Sequence, residues 1–427
     1  MVQMPHWPKK MVNANKIKDL SRMENLLFKL GSPHLYLPPV IHIAGTNGKG
    51  STCAMLKAIF KNTGLKVHLY TSPHLINFNE RIEIAGNKID DDSLFYYLEK
   101  VRIECEKINF EPTFFEATTA SAFLAFSEIP ADILILETGL GGRLDPTNIV
   151  PNPLLTIITP ISYDHMEYLG EDIRLIAGEK AGIIKKNVPC VISRQDETIM
   201  NLLLSKCEEL ESEAISYEYD YIPEKNEEGF LFHSRFGDMQ IRKLSLRGDH
   251  QIINASSVIA ASLAAGRINS KLQLSHQNIT ANIVNAEWPG RLQKFDISKI
   301  INKGESIKCY LDGAHNIAGA ASITEWMQGR NIIGRLVLIV GFTRNRDVGS
   351  FLSQFNELNP IIYGVRVLSE PSSYSAEIIC ERAKIFDIKV TPKDSLEEAL
   401  LSAAKENESA TIIICGSLFL VSDCLKL

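Results

Sequence analysis

Between residues 40 and 193, short runs that are apolar at nearly every position alternate with longer stretches of helical period. VIHIA (40–44), DILILE (132–137) and LLTIIT (154–159) are apolar on both faces, as strands covered by helices on both sides should be. The pattern predicts strands at Val40–Ala44, Val67–Thr71, Asp132–Glu137, Leu155–Thr159 and Val188–Ser193. It predicts helices at Ser51–Asn62, Asp91–Asn109, Phe115–Phe126 and Ile173–Ile184. Such alternation indicates an α/β domain with a mainly parallel sheet.

After about residue 214 the pattern changes. Ile215–Tyr221, Phe230–Phe236 and Met239–Leu246 read as antiparallel strands joined by polar turns, and Ile252–Ala265 as a buried, Ala-rich helix. AEWPGRLQ (286–293) interrupts the helical pattern at Pro289–Gly290, which makes it the expected linker and hinge. Strand–helix alternation then resumes with strands expected at Lys308–Leu311, Leu336–Gly341, Ile361–Val367 and Thr411–Cys415. The division expected is 1–288 for a larger domain and 289–427 for a smaller α/β domain.

A chain of 427 residues exceeds one compact core, which also argues for two unequal domains. With 45% hydrophobic and 22% charged residues, it is not a largely disordered chain, a collagen-like repeat or a membrane channel. Its 45 basic and 51 acidic residues leave a charge of −6, which gives no support to nucleic acid as a partner. The eight cysteines (53, 105, 190, 207, 309, 380, 415 and 424) show no CxxC and no metal-ligand spacing, and read as small apolar residues in a reducing cytosol. MVQMPHWPKKMVNANKIK, at the start, lacks the apolar core of a signal peptide, and no apolar run is long enough to span a membrane. A cytoplasmic protein with no membrane partner is expected.

Candidate chemistry lies where the apolar strands end. HIAGTNGKGST (42–52) runs from a strand into a Gly-rich turn, a lysine, hydroxyls and a helix. Backbone N–H groups and a helix N-terminus there suit phosphate oxygens, with Lys49 against the β- and γ-phosphates and Ser51 or Thr52 towards Mg²⁺. Gly50 between Lys49 and Ser51 departs from the common G-x-x-x-x-G-K-[ST] loop. In TSPHLINFNERIEI (71–84), Ser72 faces the nucleotide site from an adjacent strand end, or the segment is a surface loop with an exposed Arg–Glu pair. In LILETGLGGRLDPTN (134–148), Glu137 is placed like the acid that positions Mg²⁺ for phosphoryl transfer, the alternative being a plain salt bridge. Arg143 suits a phosphate or carboxylate. ISYDHMEYLGEDIRLIAGEKAGIIKK (161–186) offers Asp164 and His165, a metal ligand or a structural histidine. Lys180 lies near a buried helix face, where the pattern alone favours snorkelling over pairing with Glu179 or chemical alteration.

GTNGKGST, TSPHL…FNERI, ETGLGGRLD, DH…LG and EKAGI occur in this order, followed by HQIINA (250–255), EWPGR (287–291), LDGAHN (311–316) and CGSLFLV (415–421). Together they resemble the folylpolyglutamate synthase/dihydrofolate synthase family of Mur-type ligases, from about Asn25 to the C-terminus. The resemblance implies a P-loop parallel-sheet ATP-binding domain followed by a smaller Rossmann-like α/β domain. About 40 residues precede the phosphate loop, so the extra N-terminal domain of the peptidoglycan ligases is expected to be missing.

The implied reaction passes the ATP γ-phosphate to a substrate carboxylate, and L-glutamate then attacks the acyl phosphate. By resemblance, Gly45, Thr46, Asn47, Gly48, Lys49, Gly50 and Ser51 cradle the phosphates. Ser51 and Glu137 would hold one Mg²⁺, and Ser72, Glu137 and His165 a second. Asn254, Arg291 and Asp312 match ATP contacts, the last two across the domain boundary. His315 lies near the acyl phosphate or glutamate, or else caps the helix that begins at Asn316. Lys180 matches a lysine carbamylated in many relatives. Thr113, Phe114 and Phe115, with Leu144 and Asp145 beside them, match the dihydropteroate pocket, although Phe114 and Phe115 also read as helix-start core. The expectation is a monomeric ligase that adds L-glutamate to dihydropteroate, to reduced folates, or to both, with a bifunctional enzyme favoured. The alternatives are a dedicated folylpolyglutamate synthase, a Mur-type ligase for another amino acid, and a P-loop regulatory protein.

Overall fold

In the computed structural model, eight strands build the first sheet: β1 (Val40–Ala44), β2 (Val67–Tyr70), β3 (Ile82–Ile84), β4 (Asn87–Lys88), β5 (Ile133–Glu137), β6 (Leu155–Ile158), β7 (Cys190–Ile192) and β8 (Ala214–Ser216). Their order is β4-β3-β2-β5-β1-β6-β7-β8. The pairs β2·β5, β5·β1, β1·β6, β6·β7 and β7·β8 are parallel, while β3 and β4 add an antiparallel edge. β1, β5 and β6 are buried at every position, which is why their sequences lack polar alternation. The residues described are 19–298, 300–301, 306–329 and 332–427. MVQMPHWPKKMVNANKIK lies outside them.

The predicted helices form with ends shifted by a few residues, as Lys49–Lys61, Asp91–Lys107, Phe114–Glu128 and Ile173–Ala181. Phe114–Glu128 starts at a reciprocal cap: the Thr113 hydroxyl accepts the Glu116 N–H (3.0 Å), and the Glu116 carboxylate accepts the Thr113 N–H (2.6 Å). One expectation is corrected. Ile215–Tyr221 is not a single antiparallel strand, because Ile215 and Ser216 belong to β8 and pair parallel with β7. The antiparallel sheet instead consists of β9 (Tyr221–Asn226), β10 (Gly229–Ser234) and β11 (Met239–Arg242). Asp220 causes the break, its carboxylate accepting the Ser216 N–H (2.7 Å) and folding the chain back. The hairpin β3–β4 was not anticipated, since strands of three and two residues carry too little alternation to register.

A second sheet contains β12 (Gln293–Phe295), β13 (Ile307–Leu311), β14 (Arg335–Val340), β15 (Ile361–Gly364), β16 (Thr391–Pro392) and β17 (Ala410–Cys415), in the order β12-β13-β17-β14-β15-β16. All its pairs are parallel except β12·β13. The chain divides into two compact units, one running to Ser245 and resuming over Ile252–Glu287, the other made of Leu246–Gln251 and Trp288–Leu427. The eight cysteines are free thiols, seven of them buried. No helix among the described residues is long and apolar enough to cross a membrane.

Candidate active site

The first unit gathers its polar segments at the carboxyl ends of four neighbouring strands, β2, β5, β1 and β6. The connection after β1 runs to β2 on one side and the connection after its neighbour β6 runs to β7 on the other, the arrangement that opens a crevice for ligands in α/β folds. The loop after β1 is tied to the exit of β6. Pro160 O accepts the Thr46 and Asn47 N–H groups (3.0 and 3.2 Å), the Thr46 hydroxyl donates to Ser162 O (3.0 Å), and Asn47 Nδ2 donates to the Ser162 hydroxyl (3.3 Å). The amides of Thr46 and Asn47 therefore hold the loop's shape. The helix begins at Lys49, and the first-turn N–H groups of Lys49, Gly50 and Ser51 have no acceptor within the helix. Gly48 precedes that helix at φ +90°, and a Cβ there would lie 2.5 Å from Asn254 Oδ1. This places buried Asn254 against the phosphate loop.

Glu137 ends β5 almost completely buried, and its Oε2 accepts the Ser72 N–H (3.2 Å). The strand end after β2 thus touches the acid after β5. His165 is the left-handed residue (φ 51°) that starts a short helix, and its Nε2 lies 3.9 Å from Asp164 Oδ2. No three His, Cys, Asp or Glu side chains among the described residues form a metal cage of their own. A donor set of Ser51, Ser72 and Glu137 nevertheless suits Mg²⁺, which takes one or two carboxylates and fills the remaining positions with water and phosphate oxygens.

Lys180 does not snorkel. Its side chain is 4% exposed, and Nζ donates to Gly45 O at 2.9 Å. Lys49 Nζ donates to the same carbonyl (3.1 Å) and to Thr46 O (3.2 Å). Burial, then the charge of Lys49, lowers the Lys180 pKa to about 7, against the pull of Asp164 and Asp145. Glu179, the partner considered for Lys180, is bound instead by Arg143 through Nε (3.0 Å) and Nη2 (2.7 Å). That pair leaves Arg143 engaged with protein. Gly142 permits the contact between loop and helix, because a Cβ there would meet Glu179 O at 2.7 Å.

The Thr113–Phe115 segment lies beside this cluster. The Phe115 ring stands 5.9 Å from the Tyr70 ring and covers Gly139. Leu144 is half-buried and Asp145 buried. Asp145 accepts the N–H groups of Gly139 and Leu140 (both 2.9 Å) and of Thr147 (3.0 Å), together with the Thr147 hydroxyl (2.6 Å). It is therefore the keystone of the GLGGRLD loop, although burial still raises its pKa. Sequence reasoning missed Arg81. The exposed Arg–Glu pair that was one of two readings of this loop does not form: Glu80 accepts the N–H groups of Leu75, Ile76 and Asn77, and Arg81 is buried. The only sequence signal was the company of Phe78, Ile82 and Ile84 around a charged residue.

In the second unit, Asp312 follows β13 and accepts the N–H groups of Leu292 and Ala314 (both 2.8 Å). Arg291 Nη1 and the Gly313 N–H both donate to Gly290 O (2.9 Å each). The Pro289–Gly290 hinge expected from sequence is thus fixed within the second unit at Gly290. His315 Nδ1 lies 2.8 Å from Gly313 O; a carbonyl only accepts, so Nδ1 carries a proton. His315 is not the helix cap. Asn316 is, accepting the Gly319 N–H (2.9 Å).

Comparison with known proteins gives this geometry a family. Residues 43–262 match the Mur ligase middle domain, and residues 293–427 match the dihydrofolate synthetase C-terminal domain. A dihydrofolate synthase/folylpolyglutamate synthase of Bacillus subtilis (strain 168) is 32% identical over 95% of this chain and 94% of its own. The chain belongs to the dihydrofolate synthase/folylpolyglutamate synthase family. Escherichia coli FolC, solved with DHPP and ADP, superposes with a TM-score of 0.85 at 27% identity, covering 98% of this chain and 94% of that one. Mycobacterium tuberculosis folylpolyglutamate synthase, solved with ADP and AMPPCP, gives 0.82 at 28% identity, over 96% and 95%. As a member of this family the chain is a ligase of Mur type in fold, which sets aside a regulatory nucleotide-binding protein. Six of the nine motifs fall at the ends of β1, β2, β5, β6, β13 and β17.

Proposed function

We propose that this ligase joins L-glutamate both to dihydropteroate and to reduced folates, using ATP. The observation that carries the reading is the cluster at Gly45, where a phosphate-loop lysine and a buried second lysine share one carbonyl beside the strand end bearing Glu137. The γ-phosphoryl group passes to the substrate carboxylate, releasing ADP. The glutamate amine then attacks the acyl carbon, phosphate leaves, and an amide forms. Two bound Mg²⁺ ions would offset the repulsion between triphosphate and carboxylate.

Gly45, Thr46, Asn47, Gly48, Lys49, Gly50 and Ser51 serve the triphosphate in this reading. Asn254 on the first unit, and Arg291 and Asp312 on the second, serve the nucleotide, and His315 the acyl phosphate or glutamate. Ser51, Ser72, Glu137 and His165 are the proposed metal ligands. A pKa of about 7 supports Lys180 as a carbamate, since the reaction with CO₂ needs the neutral amine. Thr113, Phe114, Phe115, Leu144 and Asp145 form the pterin pocket. The enzyme is a cytoplasmic monomer of two domains that meet in sequence near residue 288, with no nucleic-acid or membrane partner.

Because a flat apolar pocket accepts any pterin, both acids should use one site. Dihydropteroate and tetrahydrofolate should each be glutamylated, and each should inhibit use of the other competitively in steady-state assays. Turnover of tetrahydrofolate with none of dihydropteroate would mean a dedicated folylpolyglutamate synthase.

A further inference from the structure

Arg81 is the buried cation of the first unit that the scheme above leaves without a role. It is 9% exposed, and its Nε donates to His74 Nδ1 at 2.8 Å. Its guanidinium carbon lies 5.5 Å from the ring centroids of both Phe78 and Phe114, and those rings meet edge to face 5.9 Å apart. The group is thus held on one edge by a histidine and flanked by two phenyl rings. No carboxylate among the described residues forms an ion pair with it, and its terminal nitrogens, Nη1 and Nη2, have no acceptor there. Neither nitrogen is among the polar atoms sealed from solvent.

A buried cation without an ion-pair partner is costly, and protein interiors normally pair or neutralise it. Cation–π contact with two rings offsets part of that cost and leaves the edge formed by Nη1 and Nη2 available. That edge matches a carboxylate, which takes two parallel N–H donors. Location narrows the choice of anion. Phe114 opens the segment proposed for the pterin, and Glu137, the proposed metal acid, acts electrostatically on Arg81. An anion bound here is thus placed between the substrate pocket and the phosphoryl-transfer site.

We propose that Arg81 binds the acceptor carboxylate of the pterin acid through Nη1 and Nη2, with His74, Phe78 and Phe114 keeping it aimed. The proposal rests on the reading of the enzyme as a glutamate ligase for pterin acids. It makes Arg81 a specificity residue: it selects substrates that carry the carboxylate to be activated and orients that group before phosphoryl transfer.

The test compares 7,8-dihydropteroate with the analogue in which hydrogen replaces the carboxyl group. Both are titrated calorimetrically, with Mg-ADP present, into the wild-type protein and the Arg81→Gln and Arg81→Lys variants. The wild type should prefer dihydropteroate at least tenfold. In Arg81→Gln the preference should collapse to less than threefold while affinity for the analogue stays within threefold of wild type. Arg81→Lys keeps the charge but loses the paired donors, so its preference should fall between the two. This variant decides the matter if the glutamine variant does not fold. A tenfold preference surviving in either variant would overturn the proposal, as would equal loss of both ligands, which marks a packing or ring-contact role. If neither ligand binds the wild type, the pterin-acid reading fails, and the role of Arg81 fails with it.

Discussion

Lys180 shows what a side chain's surroundings do to its chemistry. Its ammonium is buried against Gly45 O with Lys49 on the same carbonyl, and its pKa falls to about 7. In the unfolded chain the pKa returns to about 10.4. Between these values the unfolded state holds a proton that the folded state lacks, so this group makes stability rise with pH from about 7 upwards. Below pH 7 both states are protonated and the penalty for burying the charge is complete. In CO₂-free buffer, urea unfolding should show the wild type gaining stability relative to Lys180→Met between pH 6.5 and 9.5. A constant difference would contradict the depressed pKa. With ¹³C-bicarbonate, a carbamate resonance should appear in the wild type and be absent from Lys180→Met. Glu137 and His165 make a second case. If both serve one metal-dependent step, Glu137→Gln and His165→Ala should each lower kcat/KM at least about tenfold, and the double variant no further than the worse single one. Independent multiplication of the two losses would show that they do not act together. The sequence made Lys49 and Glu137 legible because each follows an apolar strand, where a charge needs a reason. Pattern alone favoured snorkelling for Lys180, and exposure was one of two readings for the loop that carries Arg81. Local pattern cannot show that a distant carbonyl or two phenyl rings will enclose a charge.

Helices and strands were legible wherever one periodicity ran uninterrupted. β1 matches its expected range, and the helix after it ends within one residue of the expected Asn62 but starts two residues early, at Lys49 rather than Ser51. Gly48 explains that shift, since its positive φ completes the turn before the lysine and lets the helix begin there. The same residue permits the close approach of Asn254. In Gly48→Ala the left-handed backbone costs about 1–2 kcal/mol, and the new methyl group displaces the Asn254 side chain. The protein should still fold while its KM for ATP rises at least about tenfold. A variant with unchanged KM would show that the loop and Asn254 do not shape the nucleotide site. Short elements escaped for the opposite reason. β8 and β9 are separated by a turn set by the Asp220 carboxylate, a tertiary decision that hydrophobic alternation does not record.

Across the whole chain, motifs that looked separate in sequence converge on strand ends, four segments in the first sheet and two in the second. The register of nine motifs made the family legible. The discontinuity of the units was not legible, because Leu246–Gln251 joins the second unit through contacts remote in sequence. Arg247 Nη1 donates to Leu292 O at 3.0 Å, and its guanidinium lies 5.8 Å from the Tyr310 ring centroid. The central claim for the molecule is a chemical one, that ATP cleavage is coupled to joining glutamate to a pterin acid. Purified enzyme with Mg-ATP, L-glutamate and 7,8-dihydropteroate tests it directly, with products resolved by mass and ADP counted in the same sample. The expected result is a product heavier by one glutamyl residue, formed one for one with ADP, with no ADP when the pterin acid is omitted and no more than one ADP per enzyme when glutamate is omitted. ADP release that ignores glutamate or the pterin acid, or no mass gain with dihydropteroate or tetrahydrofolate, would contradict the account.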